Sequence, residues 1–257
     1  MRLIDKVTLI TGSGSGIGRS TALRFGEEGA FVIVNDLDAV NGEETAQQIR
    51  DKGGKATFIQ ANVADPQSVQ ELVKQSHEKY GRIDVLFNNA GISGVGAIHE
   101  TEPEQWDKVI EVNVRGVFLM SKYVLPGMME RKSGNIINMS SCIAEIGLAR
   151  RASYSASKGA VLALTKSMQV DYAPYNIRVN ALLPGTILTP FVEDFLARSY
   201  DDPHIAYESL RKRQLSGDLG RPEDVAQAAV FLASDESKFM MGSPLYIDGG
   251  VVFGKNA

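Results

Sequence analysis

The chain has 257 residues, of which 44% are hydrophobic and 23% charged, and its formal net charge is −4 at pH 7. This composition is typical of a single globular domain with a buried core, and it excludes a disordered, fibrous or disulfide-stabilised chain. The negative net charge argues against nucleic acid as a partner, because phosphate binding needs a basic surface. The single cysteine, Cys142, excludes an internal disulfide and fits a reducing cytosol.

No segment of the sequence predicts export or membrane insertion. The first residues, MRLIDKVTLITG, are too few and too polar for a signal peptide and lead directly into the first predicted strand. No apolar run approaches the roughly 20 residues that a membrane-spanning helix needs. We therefore expect a soluble cytoplasmic protein that does not bind a membrane.

Short β-branched runs alternate with longer amphipathic segments along the whole chain, which predicts βαβ units and a parallel sheet. Strands are predicted at 7–11, 31–36, 56–61, 83–89, 135–140, 178–183 and 244–248. Helices are predicted near 16–28, 40–52, 66–80, 103–130, 153–173 and 222–234. The expected fold is a Rossmann-type, doubly wound α/β domain of three αβα layers, with a seven-stranded parallel sheet and ligands at the carboxyl ends of its strands. Asp65 before Pro66 and Arg221 before Pro222 are the predicted starts of two helices.

Residues 186–215 interrupt this alternation. The segment is rich in aromatic and charged residues and predicts one or two helices over the strand ends. A connection of this length inside a compact domain usually has a function. We expect it to form a substrate lid within one domain spanning 1–257.

A glycine-rich turn, TGSGSGIG, follows the first predicted strand and precedes a predicted helix. The spacing that matters is G-x-x-x-G-x-G, carried by Gly12, Gly16 and Gly18. Glycines allow the backbone to approach a ligand closely, and the free N–H groups of the helix N-terminus attract a pyrophosphate. The strand before the turn and the helix after it favour dinucleotide binding over a merely flexible turn.

An acidic residue, Asp36, ends the second predicted strand, 18 residues after Gly18. This is close to the separation at which an acid binds the adenosine ribose hydroxyls. A carboxylate at this place repels a 2′-phosphate, and no Arg or Lys follows it in DLDAVNG. The pattern predicts NAD as the cofactor in preference to NADP.

With these turns in place, the sequence resembles the short-chain dehydrogenase/reductase family along its whole length. The resemblance rests on TGSGSGIG at 11–18, NNAG at 88–91, NV at 113–114, SS followed by YSASK, RVNALLPGTILTP at 178–190 and IDGG at 247–250. One departure is Asn62, where the family usually has an aspartate near the adenine; an amide oxygen can still accept a hydrogen bond from the adenine amino group. The resemblance implies a homotetramer, with the helices near 103–130 and 153–173 at its larger interface.

The resemblance also implies a catalytic set of Asn113, Ser141, Tyr154 and Lys158. Tyr154 is the expected general acid/base, and an ammonium group one helical turn away is predicted to lower the pKa of its phenol from the ordinary value of about 10. Lys158 supplies that charge and also binds the nicotinamide ribose. The family's serine lies 13 residues before the tyrosine, which selects Ser141 over Ser140 for holding the substrate oxygen. Asn113 is expected to hold a water that links Lys158 to solvent, or else to be satisfied by the backbone of its helix.

By position, the resemblance gives the cofactor contacts. They are Gly12, Ser15, Gly16, Ile17, Gly18, Asp36, Asn62, Val63, Asn89, Ala90, Gly91, Tyr154, Lys158, Pro184, Gly185, Ile187 and Thr189. Asn180 is expected to be a structural tie between strands. No metal site is predicted, because His77, His99 and His204 lack ligand spacing, and Cys142 is expected to be a small buried residue.

Arginines near the tyrosine are the only local indication of the substrate's charge. Arg151 lies three residues before Tyr154, and a guanidinium there can bind a carboxylate through paired hydrogen bonds. Arg211 or Arg213, at the end of the predicted lid, can supply a second contact, and a similar arrangement occurs in a family branch that acts on small hydroxy acids and deoxy-sugar acids. The alternative is that one or both of Arg150 and Arg151 are solvated or pair with lid acids such as Glu193 or Asp194. The predicted substrate-binding set is Ser141, Arg151, Tyr154 and Arg213.

The predicted function is NAD-dependent oxidation of a small secondary alcohol, which is a hydroxy acid, sugar acid, sugar or polyol, or reduction of its ketone. One alternative is a 3-oxoacyl-thioester reductase, a role that usually draws on NADP and against which Asp36 counts. The other is a non-catalytic NAD-binding sensor, against which the complete catalytic set argues.

Overall fold

The computed structural model describes residues 1–199 and 202–254, except for the side chains of 194, 195, 197–199, 203 and 204. Within these residues seven parallel strands form one sheet, in the order β3-β2-β1-β4-β5-β6-β7. They are β1 Val7–Thr11, β2 Phe31–Asp36, β3 Lys55–Gln60, β4 Val85–Asn88, β5 Gly134–Met139, β6 Ile177–Pro184 and β7 Pro244–Ile247. The helices are α1 Gly16–Glu27, α2 Ala39–Asp51, α3 Pro66–Tyr80, α4 Pro103–Ile110, α5 Gly116–Arg131, α6 Ala152–Tyr172, α7 Pro190–Ser199, α8 Pro203–Lys212 and α9 Pro222–Ala233.

The sheet changes direction of winding at β1. Leu9 pairs with Ile33 of β2 on one side and with Leu86 of β4 on the other. The chain therefore builds β2 and β3 outward on one side of β1 before it returns to build β4 to β7 on the other. A crevice opens at such a switch point, outside the carboxyl ends of the strands, and the two motifs with the most glycine and asparagine follow β1 and β4.

Two apolar layers enclose the sheet, because successive strand side chains point to opposite faces. Ile10 packs into one cluster with Phe25 of α1 and Val225 of α9. Its neighbour Leu9 packs into the other cluster, with helices α3, α5 and α6. The predicted three-layer, doubly wound α/β fold is confirmed.

The two predicted helix starts use different chemistry. Asp65 accepts a hydrogen bond from the Ser68 N–H through Oδ2 at 2.7 Å, so it caps α3 as predicted. At α9 the side chain of Arg221 does not cap the helix. The Asp224 carboxylate reaches back instead and accepts the Arg221 backbone N–H at 2.8 Å.

The helix predicted near 103–130 is present, but one turn of it is not α-helical. A π-helical turn, Glu111–Arg115, separates α4 from α5 and contains the buried Asn113. The side-chain amide of Asn113 accepts the Ile92 N–H at 2.8 Å and donates to the Ile92 carbonyl at 3.0 Å. The turn thus brings one polar side chain to the loop after β4, and such turns are frequent at functional sites.

Two helices, α7 and α8, occupy most of the predicted insertion at 186–215. Leu196 of α7 packs with Ala206 and Leu210 of α8 in a small apolar cluster that also contains Leu219. Among the described residues, no helix is long and apolar enough to cross a membrane.

Candidate active site

The glycine turn after β1 is packed against the loop after β4. Gly12 has a φ of 61°, and a Cβ on it would lie 2.8 Å from the Ala90 Cα. A Cβ on Gly18 would collide with the Gly12 carbonyl oxygen. Asn89 completes this contact, because its Nδ2 donates to the carbonyls of Thr11 and Gly12 at 3.0 and 2.9 Å.

The N-terminus of α1 faces the resulting crevice without a side-chain cap. Ser15 is the N-cap residue, but its hydroxyl accepts no capping hydrogen bond, and no acidic residue lies in the first turn. The first N–H groups of α1 therefore remain available to an anion.

A carboxylate closes the far side of the glycine turn. Asp36 accepts the Gly14 N–H through Oδ2 at 2.7 Å and the Asp38 N–H through Oδ1 at 3.0 Å. The side chain of Leu37, the next residue, is exposed.

A cleft of about 420 Å³ runs from this carboxylate to the predicted catalytic residues. It is lined by 14 of the predicted cofactor contacts, namely Gly12, Ser15, Gly16, Ile17, Gly18, Asp36, Asn62, Val63, Asn89, Ala90, Gly91, Tyr154, Lys158 and Thr189. Pro184, Gly185 and Ile187 line the neighbouring cavity instead. The glycines that admit no Cβ, the uncapped helix and the terminal carboxylate fit a dinucleotide laid along the cleft.

Sequence reasoning missed several residues of this cleft. They are Asn35, Leu37, Ala61, Ile92, Lys108, Val112, Met139, Pro190 and Phe191. Leu37 and Ile92 each directly follow a recognised motif residue, so a wider motif would have included them. Lys108 and Val112 come from α4 and the π-helical turn, and no local sequence signal marks them.

Asn62, the departure from the family pattern, forms a turn of its own. Its Oδ1 accepts the Ala64 N–H at 3.0 Å, and its backbone N–H donates to Ser68 Oγ at 2.9 Å. Nδ2 has no hydrogen-bond partner within the described residues. The amide therefore offers the cleft a donor, and its oxygen already has one partner.

Tyr154 and Lys158 lie one turn apart on α6, as their spacing predicts. Lys158 Nζ is 5.6 Å from the centre of the Tyr154 ring and donates to the Met139 carbonyl at 2.9 Å. Burial lowers the pKa of Lys158 to about 8. Burial also raises the pKa of Tyr154 to about 12, although the Arg151 charge and the Ser141 hydroxyl lower it. The predicted net lowering of the Tyr154 pKa is therefore wrong for the chain alone, because desolvation outweighs the nearby charges.

The two adjacent serines have different environments. Ser140 is 2% exposed, and its hydroxyl donates to the Lys158 carbonyl at 2.9 Å, which ties β5 to α6. Ser141 accepts the Ile143 N–H at 3.3 Å and is partly exposed. Its hydroxyl donates to the Pro184 carbonyl at 3.5 Å and lowers the pKa of the nearby Tyr154 phenol.

Asn113 uses both hydrogens of its amide. One is donated to the Ile92 carbonyl at 3.0 Å and the other to Ser157 Oγ at 3.0 Å. Because both amide hydrogens are used, a water at Asn113 can only donate a hydrogen bond, either to the remaining lone pair of Oδ1 or to the backbone carbonyl.

A second cavity, of about 390 Å³, adjoins the cleft at Tyr154. Its apolar wall includes Ile143, Leu148, Phe191, Val192 and Leu210. Ser141, Arg151 and Arg213 also line it. Its lining therefore combines an apolar wall with polar and cationic side chains.

The four candidate arginines fall into two groups, according to whether they line this cavity. Arg150 is exposed and pairs with Glu100 at 2.8 Å, and the side chain of Asp194, one of the suggested lid partners, lies outside the described residues. Arg211 pairs with Glu208 at 2.9 Å, and neither of these arginines lines the cavity. Arg151 and Arg213 both line the cavity.

The remaining polar residues have structural surroundings. Asn180 donates to the Met240 carbonyl at 2.9 Å and accepts the Ser243 N–H at 2.9 Å, so it ties β6 to the segment before β7. Burial raises the pKa of the Cys142 thiol to about 11. Across the described part of the chain no group of three potential metal ligands occurs, and the side chain of His204 lies outside it.

Known proteins share this architecture and sequence. The family model described as Enoyl-(Acyl carrier protein) reductase matches residues 12–252. A 3-oxoacyl-[acyl-carrier-protein] reductase of Thermotoga maritima is 42% identical over 252 residues, which cover 98% of this chain and 100% of the relative. A cis-4-hydroxycyclohexanecarboxylate dehydrogenase of Sinomonas cyclohexanicum is 40% identical over 247 residues, which cover 96% of each. The crystal structure of levodione reductase matches with a TM-score of 0.96 at 34% identity, covering 99% of this chain and 100% of that one.

The fold, the cleft and these relatives define an oxidoreductase that acts on CH–OH groups and binds a nicotinamide nucleotide. The chain belongs to the short-chain dehydrogenase/reductase family, as its motifs predict.

Proposed function

We propose that this protein is an NAD-dependent dehydrogenase that interconverts a small secondary alcohol bearing a carboxylate and the corresponding ketone. The observation that carries the proposal is the cavity shared by Ser141, Tyr154 and Arg213 at the end of the dinucleotide cleft. The hydroxyl and phenol suit the reacting oxygen, and the guanidinium suits an acid group on the same molecule.

The chemistry follows from the positions of these side chains. Tyr154 accepts the hydroxyl proton of the alcohol, and Ser141 holds the same oxygen by a hydrogen bond. NAD bound in the cleft would supply the acceptor for the hydride of the carbinol carbon. Lys158, whose pKa is about 8, exchanges protons readily near neutral pH and can return Tyr154 to its basic form.

Asp36 supports the choice of NAD. A phosphate on the adenosine ribose would face its carboxylate at the end of the cleft, where repulsion is strong. Arg19 reaches this region but is already bound to the Gly14 carbonyl at 2.8 Å and to Glu44 at 2.9 Å. Neither DLDAVNG nor this face of α1 therefore offers a free cationic side chain that could offset the repulsion.

Arg213 supports the choice of an acid. Within the described residues its guanidinium has no carboxylate partner, although it lines the cavity. An exposed arginine without an ion pair is commonly solvated, but one at the wall of an apolar cavity next to a general base can orient a substrate. The relative that acts on cis-4-hydroxycyclohexanecarboxylate supports the same choice.

We also infer a lid and a homotetramer. Phe191 and Val192 of α7 and Leu210 of α8 line the substrate cavity, which supports a lid role for 186–215. Phe118 on α5 and Val170 on α6 are 49% and 76% exposed, which supports pairing of these helices between subunits. Light scattering of the purified protein measures the assembly directly.

A 3-oxoacyl-thioester reductase is the second candidate, because the Thermotoga maritima reductase is 42% identical. The decisive experiment measures turnover of the purified protein with NAD or NADP and a panel of hydroxy acids, sugar acids, polyols and cyclic alcohols. In the reverse direction NADH or NADPH is supplied with the ketones and a 3-oxoacyl thioester. Turnover restricted to NADPH and the thioester would establish the second candidate, and tight NAD binding without any turnover would establish a sensor.

A further inference from the structure

A turn built around one buried carboxylate follows β7. Asp248 is 7% exposed, and it accepts the Gly250 N–H through Oδ1 at 3.0 Å and the Val252 N–H through Oδ2 at 2.8 Å. Gly249 and Gly250 have φ angles of 62° and 86°, which glycine adopts without steric cost. Residues 248–254, which we call the Asp248 turn, therefore have a defined shape although only Asp248 among them is buried.

The Asp248 turn holds the segment that follows α8. The Ser216 N–H donates to the Gly249 carbonyl at 3.2 Å. The side chain of Leu215 lies on the turn, because a Cβ on Gly250 would be 3.0 Å from Leu215 Cδ1 and a Cβ on Gly254 would collide with the same atom. Leu215 is thus fixed by two glycines that leave room for it.

Arg213, two residues before Leu215, lines the substrate cavity. Its backbone N–H donates to the Leu210 carbonyl at 3.3 Å, at the end of α8. Burial raises the pKa of the Cys142 thiol to about 11, and the Arg213 charge opposes this rise. The guanidinium charge therefore acts close to Ser141, the residue before Cys142.

The Asp248 turn also packs against the wall of the cavity beside the serine. The Gly185 N–H donates to the Ile247 carbonyl at 3.0 Å, and a Cβ on Gly185 would lie 2.7 Å from the Asp248 carbonyl oxygen. The Ser141 hydroxyl donates to the carbonyl of Pro184, and both Pro184 and Gly185 line the cavity. The turn is consequently in contact with two separate parts of the cavity wall.

The described residues of the Asp248 turn do not themselves line the cavity. We propose that the turn acts from behind it: through Leu215 it fixes Arg213, and it thereby sets the distance between the guanidinium and the serine end of the cavity. Leu215 is then a positioning residue for the acid group of the substrate. The inference rests on the proposed function, because it assumes that Arg213 binds a carboxylate.

An acid and a neutral alcohol separate this role from a merely structural one. The experiment measures kcat and KM of wild type, Leu215→Ala, Leu215→Met and Gly250→Ala at saturating NAD. The substrates are the hydroxy acid and the neutral alcohol of the panel that wild type oxidises best. Ile205→Ala is the matched control, because Ile205 lies on α8, is 70% exposed and does not line the cavity.

Leu215→Ala is expected to raise KM for the acid about fivefold and to leave kcat and the neutral alcohol unchanged, since a displaced guanidinium holds a carboxylate less well. Gly250→Ala should act in the same direction, because its Cβ is strained at a φ of 86° and presses on Leu215. Leu215→Met conserves volume and should keep most of the wild-type KM. Ile205→Ala should behave as wild type.

A double variant tests whether Leu215 acts through Arg213. In an Arg213→Gln background, Leu215→Ala should add nothing to the KM for the acid, because residues that serve one interaction are not additive. A further rise of about fivefold there would overturn the proposal. A wild-type KM for the acid in both Leu215→Ala and Gly250→Ala, or an equal rise for the neutral alcohol, would also overturn it.

Failure of the proposed function has a different signature. An Arg213→Gln enzyme with an unchanged KM for the acid, or a wild type without alcohol turnover, would overturn the proposed function itself. Thermal unfolding and NADH affinity identify a misfolded variant, and Leu215→Ala and Gly250→Ala disturb the same contact from opposite sides, so either one alone tests it.

Discussion

The carboxylate of Asp36 and the backbone of Gly14 are joined by a hydrogen bond of 2.7 Å between Gly14 N–H and Oδ2. The end of β2 therefore braces the glycine turn that follows β1. One side chain has two separable properties here, namely an acceptor that fixes the turn and a negative charge that faces the cleft.

Substitutions of Asp36 separate these properties. Asp36→Asn keeps an acceptor for Gly14 and removes the charge, so NADP affinity should rise about tenfold while NAD affinity falls only slightly, as a short-range repulsion of about 1–2 kcal/mol implies. Asp36→Ala removes both properties and should weaken binding of NAD as well. Fluorescence titration with NADH and NADPH measures the dissociation constants of both cofactors for each of the two variants. Unchanged NADPH affinity in Asp36→Asn would show that the carboxylate does not select the cofactor.

Removal of the Tyr154 hydroxyl tests the proposed base. Tyr154→Phe should lower kcat by about 10²–10⁴-fold, the usual contribution of general acid–base catalysis, without changing NADH affinity. Tyr172→Phe, near the end of the same helix, is the matched control and should keep wild-type kcat. Steady-state turnover and NADH titration give both values, and a Tyr154→Phe enzyme with nearly normal kcat would assign the proton transfer to another group.

Lys158 makes a pH-dependent contribution to stability. Its pKa in the folded chain is about 8, below the ordinary 10.5, so between these values the unfolded chain holds more protons and the free energy of unfolding rises with pH. This contribution is complete above the unfolded pKa and is lost as pH falls through the folded one. The stability of wild type relative to Lys158→Met should therefore increase by about 2 kcal/mol from about pH 7 to about pH 9.5.

Urea unfolding of both cofactor-free proteins at several pH values measures this difference. Other groups titrate equally in the two proteins, so they cancel in the comparison. A difference that stays constant with pH would mean that the lysine keeps its ordinary pKa in the folded chain.

Gly18 tests the close packing of the dinucleotide turn. Gly18→Ala places a methyl group against the Gly12 carbonyl and should reduce NADH affinity at least tenfold, because the turn must open. Gly147→Ala is the matched control, since a Cβ there has no neighbour within 4 Å. Equal NADH affinity of both variants in a titration would contradict the tight turn.

Arg213 and Arg211 form a matched pair for the substrate charge. Arg213→Gln should raise KM for an acid substrate about tenfold or more and leave a neutral alcohol unaffected, because the charged hydrogen bond contributes about 1.5–3 kcal/mol. Arg211→Gln should change neither, since Arg211 pairs with Glu208 outside the cavity. If both substrates respond equally to Arg213→Gln, the arginine shapes the cavity and does not bind the acid.

The strands were predictable because their apolar runs are local signals. β1 and β2 begin and end where the sequence indicates, whereas β4 was predicted at 83–89 and is Val85–Asn88. The extra residues have tertiary partners: Asp84 accepts the Val7 N–H at 2.8 Å, and Asn89 binds Thr11. Hydrophobic periodicity contains no information on such contacts.

The features of the site that the sequence leaves unpredicted have the same origin. The π-helical turn depends on bonds between Asn113 and Ile92, 21 residues apart, and the sequence pattern of 103–130 alone is helical throughout. The spacing of Tyr154 and Lys158 correctly predicted their proximity. It did not predict the direction of the Tyr154 pKa, because desolvation depends on all the elements packed around the phenol.

The dinucleotide cleft and the substrate cavity have a common boundary formed by Ile17, Met139, Tyr154, Thr189 and Phe191. A molecule in either space is consequently part of the wall of the other. We therefore expect cofactor and substrate to be thermodynamically linked ligands, each raising the affinity for the other by the same factor. We expect an ordered sequence of association in which the dinucleotide enters first, completes the surface on which the alcohol rests, and leaves last.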